Sequence, residues 1–190
     1  RDQRIAVIGM AGRFADCPDL EAFHAMLREG RSGITEVPAD RWSADEAALP
    51  EGVSSEAQYL RWGGFLRDAA AFDPLFFRIS PDEAEYMDPQ HRLFLQESYR
   101  AFEDAGYSSR ALNNRLCGVY LGISTNEYSL LLSQNGVLAA PITGNSYSIA
   151  AARIAYYLNL KGPAISVDTA CSSSLVSLHL ACQALRSGEV

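Results

Sequence analysis

Ala164-Ile165-Ser166-Val167-Asp168-Thr169-Ala170-Cys171-Ser172-Ser173-Ser174-Leu175 is the stretch on which the reading of this chain turns. Residues 164–167 form a short, mostly apolar run, the pattern of a strand buried in a covered sheet. The strand stops at Asp168, a tight turn of small residues follows, and Cys171 falls in the first turn of a helix over about 172–187. At a helix entrance the backbone N–H groups lack intrahelical partners and the dipole is positive. Both effects favour a thiolate, lower a cysteine pKa and offer donors to an oxyanion. The small neighbours leave a substrate carbonyl room to approach the sulfur, so Cys171 is the candidate nucleophile. The competing reading, a cysteine used as a small buried hydrophobe, fits Cys182 better, because Leu178-His179-Leu180-Ala181-Cys182 sits inside an apolar repeat. Cys17 and Cys117 lack the strand-to-helix context and are read as structural.

Working outward, strand and helix signals alternate. Ile5-Ala6-Val7-Ile8-Gly9 predicts a first buried strand. Leu20, Phe23 and Leu27 at three- and four-residue steps, closed by Gly30, predict an amphipathic helix over 19–30. Residues 32–67 show no sustained period and are broken by Pro38, Pro50, Gly52, Gly63 and Gly64, which predicts a long loop excursion with a function of its own. Ser80-Pro81-Asp82-Glu83 has the form of a capping box. Pro89 permits a second start, and Leu93, Leu95, Tyr99, Phe102 and Ala105 carry a helical stripe to Gly106. A strand over 116–123 and a helix over 148–160 complete the pattern, and the alternation makes this an α/β layered fold.

With 190 residues the chain is long enough for one domain with a real core. Its 48% hydrophobic and 21% charged residues exclude a disordered or fibrous chain. A net charge of −7 is the wrong sign for a nucleic-acid or anionic-membrane surface. Four cysteines without a Cys-x-x-Cys pair indicate neither a zinc site nor a disulfide framework, so reduced thiols in the cytoplasm are expected. The uncharged span 128–152 is interrupted by Ser129, Gln134, Asn135, Pro141 and Asn145 and is no membrane helix. Without an initiating Met, and ending in a helical pattern, the chain reads as part of a longer polypeptide. Gly9-Met10-Ala11-Gly12 lacks the spacing of a dinucleotide-binding loop, since position 11 is Ala and position 14 is Phe. A nucleophilic thiol needs a proton manager, yet His24, His91 and His179 each sit in a helical pattern with a structural explanation, and the catalytic set is incomplete.

The segment Asp168-Thr169-Ala170-Cys171-Ser172-Ser173-Ser174 resembles the active-site signature of β-ketoacyl synthase domains of modular polyketide synthases. Ile5-Ala6-Val7-Ile8-Gly9-Met10 resembles the family's opening strand. Phe72-Asp73-Pro74-Leu75-Phe76-Phe77-Arg78-Ile79-Ser80-Pro81 and Met87-Asp88-Pro89-Gln90 resemble its second hallmark. Glu103-Asp104-Ala105-Gly106-Tyr107, Thr143-Gly144-Asn145 and Leu160-Lys161-Gly162-Pro163 also stand where such domains have them, so the similarity spans essentially the whole chain. One departure is His91, where the family commonly has Gln.

The resemblance implies a thiolase-like αβαβα fold, of which residues 1–190 are the N-terminal half, ending shortly after the nucleophile helix. It implies that Cys171 accepts an acyl chain from an acyl carrier protein, and that decarboxylative Claisen condensation with a malonyl-type extender then elongates it. No cofactor would be bound by the domain itself; the phosphopantetheine arm comes with the carrier. Implied partners are the domain's own C-terminal half, a second copy in a homodimer and neighbouring polyketide synthase domains. In that family two histidines of the C-terminal half serve as donors, and none of His24, His91 or His179 matches their motifs, so the residues present are expected to be inactive alone. Cys171 excludes relatives that lack the thiol. Two alternatives stay open: a non-elongating ketosynthase that only transfers or binds acyl chains, and a non-catalytic dimerisation or docking module.

Overall fold

A computed structural model describes residues 4–41, 61–137 and 142–190, apart from the side chain of Ile142. The chain divides into two units, Ala11–Ala69 and a larger one formed by Arg1–Met10 with Ala70–Val190.

In the smaller unit, α1 (Leu20–Arg28) begins where its pattern predicts, because the Asp19 carboxylate accepts the Ala22 N–H at 2.8 Å. Gly30, with φ +65°, supplies the left-handed turn after it. Strands β1 (Ile34–Glu36) and β2 (Trp62–Gly64) pair antiparallel, with Ile34 opposite Gly64. The predicted excursion over 32–67 is therefore pinned by a short ladder. Three-residue strands are too short to show alternation in a sequence, which is why the pairing was invisible there. Residues 42–60 of the excursion lie outside the described residues. Cys17 is buried, its sulfur 3.6 Å from that of Met26.

The larger unit runs α2 (Pro81–Glu85), α3 (Pro89–Asp104), α4 (Ser109–Leu112), β3 (Val119–Gly122), α5 (Tyr128–Gln134), α6 (Ile142–Asn145), α7 (Tyr147–Leu158), β4 (Ala164–Val167) and α8 (Ser173–Ser187), the last entered through a 3-10 turn at Ala170–Ser172. β3 and β4 are parallel, from Val119 opposite Ala164 to Gly122 opposite Val167. Successive side chains on a strand alternate between faces. Val119 and Leu121 pack into the cluster formed with Ala151, Ile154, Ala155 and Leu158 of α7. Gly122 instead faces the backbone of Ser173 and Ser174, so α7 and α8 cover opposite faces of the pair. Met87, Leu95 and Ile154 anchor the core on the α7 side. Phe72, Phe76, Phe77, Tyr99 and Tyr157 extend it as a ring cluster in which Phe77 and Tyr99 meet edge to face at 6.3 Å.

Three expectations need correction. Residues 5–9 are not a buried strand: they lie outside the sheet, with Val7 75% and Ile8 65% exposed. Apolar content alone forms no ladder, and this run instead lies against the end of α3, where the Met10 N–H donates to Asp104 at 2.8 Å. The strand predicted over 116–123 is confined to Val119–Gly122. Only half of the capping box forms: Ser80 accepts the Glu83 N–H at 3.1 Å, while the Glu83 carboxylate is engaged by Arg153 at 2.8 Å. A charged partner gives a stronger hydrogen bond than a backbone amide, which explains the choice.

Candidate functional site at the carboxyl ends of β3 and β4

Because β3 and β4 are parallel and in register, the loops that leave Gly122 and Val167 emerge at the same edge of the pair. The turn after β4 is built by its own side chains. The Asp168 carboxylate accepts the Ala170 N–H at 3.0 Å. Ser172 Oγ lies 2.8 Å from both the carbonyl and the hydroxyl oxygen of Thr169. The Ser173 hydroxyl accepts the Thr169 N–H at 2.9 Å and donates to the Ala170 carbonyl at 2.7 Å. Together these bonds hold Ala170 at φ +53°, a left-handed conformation that costs an L-residue roughly 1–2 kcal/mol. The result is that Cys171 stands exposed at the entrance of α8.

The other three cysteines are placed differently. Cys17 is buried, and Cys117 and Cys182 are half-buried; burial pushes the Cys117 thiol above its ordinary range. Of the histidines, His24 is exposed on α1 and His179 is exposed on α8. Eight residues of helix put His179 about 12 Å along the axis from Cys171. His91 is fully buried in the first turn of α3, with neither ring nitrogen hydrogen-bonded among the described residues. Its pKa is lowered to about 4, by burial first and then by the charge of Arg153.

A second group at the same edge was not visible to sequence reasoning. The Gln90 amide donates to the Asp88 carboxylate at 3.3 Å and to the Thr125 carbonyl at 3.0 Å. The Asp88 N–H donates to the Gly144 carbonyl at 2.9 Å, and the Asn145 amide to the Tyr86 carbonyl at 2.8 Å. Asn126, in the loop after β3, donates to the Asn145 carbonyl. Two motifs quoted above for their resemblance, around Asp88-Pro89-Gln90 and Thr143-Gly144-Asn145, thus meet each other and brace the loop beside the strand ends. Tyr147 lies in this group. Its phenol pKa is raised by burial and then by the charges of Asp88, Asp168 and Glu127. The signal that could have located the group is the recurrence of Asp, Asn and Gln just before or after predicted elements, where short polar side chains satisfy loose backbone groups.

Comparison with known proteins fits this geometry. The family model described as β-ketoacyl synthase, N-terminal domain, matches residues 2–190. Polyketide synthase PksL of Bacillus subtilis is 51% identical over 189 residues, which is 100% of this chain and 4% of that protein. Polyketide synthase ThaG of Burkholderia thailandensis is 47% identical over 187 residues, 97% of this chain and 3% of that protein. The solved ketosynthase from module 6 of the bacillaene synthase of Bacillus subtilis 168 matches with a TM-score of 0.83 at 50% identity, covering 97% of this chain and 30% of that one. The oxazolomycin ketosynthase domain of Streptomyces albus JA3453 gives 0.84 at 42% identity, over 96% of this chain and 32% of that one. The fold is thus the thiolase-like fold of ketosynthases. The chain spans a few per cent of these synthases and about a third of the solved ketosynthase chains.

Proposed function

Since the chain belongs to the β-ketoacyl synthase family, whose N-terminal domain it matches over residues 2–190, we propose that it carries the nucleophile of an acyl-thioester condensing enzyme, and that this nucleophile is Cys171. The observation that supports the reading is positional. Of four cysteines, Cys171 alone is exposed, and it stands at a strand-to-helix turn at the carboxyl edge of a parallel pair, the edge where α/β folds place their ligands.

The Cys171 thiolate attacks the thioester carbonyl of an acyl chain held on the phosphopantetheine arm of an acyl carrier protein. The carrier thiol leaves and the chain becomes a Cys171 thioester. A malonyl-type extender on a second arm then loses CO2. Its enolate carbon attacks the Cys171 thioester, the thiolate departs, and a β-ketoacyl chain remains on the carrier. Enolate and tetrahedral oxyanion both require donors fixed in advance. The Thr169, Ala170, Ser172 and Ser173 N–H groups are taken up inside the turn, so the oxyanion donor assigned here is the Cys171 N–H, and histidines of the C-terminal half of the domain serve the decarboxylation. With His91 buried and His179 about 12 Å along α8, acyl loading is the stage that the described residues perform. The apolar face of α8, where Leu175, Leu178 and Leu185 are exposed, suits cover by that C-terminal half. The working form is a homodimer among neighbouring polyketide synthase domains in the cytoplasm. Among the described residues no helix is long and apolar enough to cross a membrane.

The test compares thiols by rate. Iodoacetamide or cerulenin adducts are mapped by mass spectrometry on the native and the denatured protein, alongside incubation with an acyl N-acetylcysteamine thioester. Cys171 is expected to label faster when folded than when unfolded, and to take the acyl group. A thiol that labels more slowly when folded and takes no acyl group would show a docking module with an idle cysteine.

A further inference from the structure

The role proposed for Cys171 leaves open what sets the position of its sulfur, and the close packing beneath the turn supplies a candidate. A β-carbon built on Gly122, the last residue of β3, would lie 2.7 Å from the backbone nitrogen of Ser174. It would also lie 2.8 Å from the carbonyl carbon of Ser173 and 2.9 Å from the α-carbon of Ser174. All three atoms are backbone, so no side chain can swing aside to make room. The residues pressed against Gly122 are Ser173 and Ser174; Ser173 is 5% exposed, and its hydroxyl ties the Thr169 N–H to the Ala170 carbonyl across the turn that carries Cys171.

We propose that Gly122 is a positioning residue for Cys171: the absence of a side chain lets the first turn of α8 rest directly on the end of β3, and that contact fixes where the thiol stands. This rests on the reading of Cys171 as the nucleophile. Gly122 touches no substrate and acts only through Ser173 and the left-handed Ala170. Any side chain at position 122 would push the helix entrance outward by a fraction of an ångström to an ångström, and displacements of that size cost up to about a hundredfold in rate when they misplace a reacting group.

The same pair of strands provides its own control. A β-carbon on Gly162 would lie 2.5 Å from the carbonyl carbon and oxygen of Cys117 and 2.7 Å from the Gly118 nitrogen. This backbone clash is at least as severe, but lies at the opposite end of β3 and β4. Gly122→Ala and Gly162→Ala should therefore lower thermal stability alike while differing at the thiol.

In the intact protein, alkylation of Cys171 by iodoacetamide and acyl loading from an N-acetylcysteamine thioester are measured for both variants well below their melting temperatures. Gly122→Ala is expected to slow both reactions by about tenfold or more, with the loss in kcat and KM within twofold. Gly162→Ala is expected to stay within about twofold of the unaltered protein. If Gly122→Ala does not fold, Ser173→Ala decides the matter, since it removes the tie across the turn without adding an atom and should slow Cys171 in the same way. Equal slowing by the two glycine variants overturns the proposal, as does a wild-type rate for Gly122→Ala or, where that variant fails to fold, for Ser173→Ala. These outcomes differ from failure of the nucleophile reading, in which the unaltered protein itself shows no folded-state enhancement and no acyl adduct, and both proposals fall.

Discussion

Helices α7 and α8 lie on opposite faces of one two-stranded sheet, both rich in apolar residues, yet they meet different fates. On α7, Ala150 and Ala151 are 0% exposed, Ile154 1% and Leu158 2%. On α8, Leu175 is 74% exposed, Leu178 60% and Leu185 50%. The difference lies in the third layer. Helices α3 and α4 pack on α7, whereas α8 meets mainly the strands and its own entrance turn. An apolar side chain contributes stability only when a neighbouring element removes it from water, so similar compositions yield a core on one face and an apolar surface on the other. The α7 side holds the larger unit together and the α8 side carries the proposed nucleophile at its entrance.

The comparison can be broken most readily at its buried side. Ile154→Ala should cost about 2–5 kcal/mol, the range for large-to-small changes in a closed core, read as a fall in the urea midpoint at unchanged slope. A loss below about 1 kcal/mol would mean that the α7 face is no better packed than the α8 face.

A pH titration sharpens the same side. The unfolded chain takes up a proton on His91 near pH 6.5, while the folded chain resists until about pH 4, because burial and then Arg153 disfavour the charged ring. The folded pKa is the lower one, so stability falls as pH drops from about 6.5 towards 4 and levels off below. The total approaches about 3 kcal/mol at 1.4 kcal/mol per pH unit. His91→Gln should flatten this part of the stability curve, measured by unfolding at pH 7 and pH 4.5; an unchanged slope would show that other groups carry it. The smallest effect belongs to the open face. In the 190-residue chain by itself, Leu178→Ala should change stability by no more than about 0.5 kcal/mol, and a cost like that of Ile154→Ala would mean α8 is already covered there.

Elements carried by local chemistry were legible in the sequence. Ser80 caps the helix its position announces, the stripe of Leu20, Phe23 and Leu27 is a helix, Pro89 opens α3, and the run 164–167 is a strand with the bounds predicted. The placement of Cys171 at a helix entrance was legible too, because strand, turn and helix there are contiguous in the chain. Residues 5–9 were misread for the opposite reason: a strand exists only where another backbone answers it, and five apolar residues do not specify which.

What this sequence determined by itself is therefore local and covalent in origin: the order of elements, their caps, and a thiol carried on small residues between a strand and a helix. Tertiary structure alone decided which apolar face was covered. It also brought the Asp88, Gln90, Asn126 and Asn145 side chains to one edge and turned Glu83 from a cap into a partner for Arg153. It made Gly122 the floor beneath Ser173. Each of these depends on residues distant along the chain arriving within a few ångströms of one another, and no periodicity or short motif encodes a distance between segments that have yet to meet.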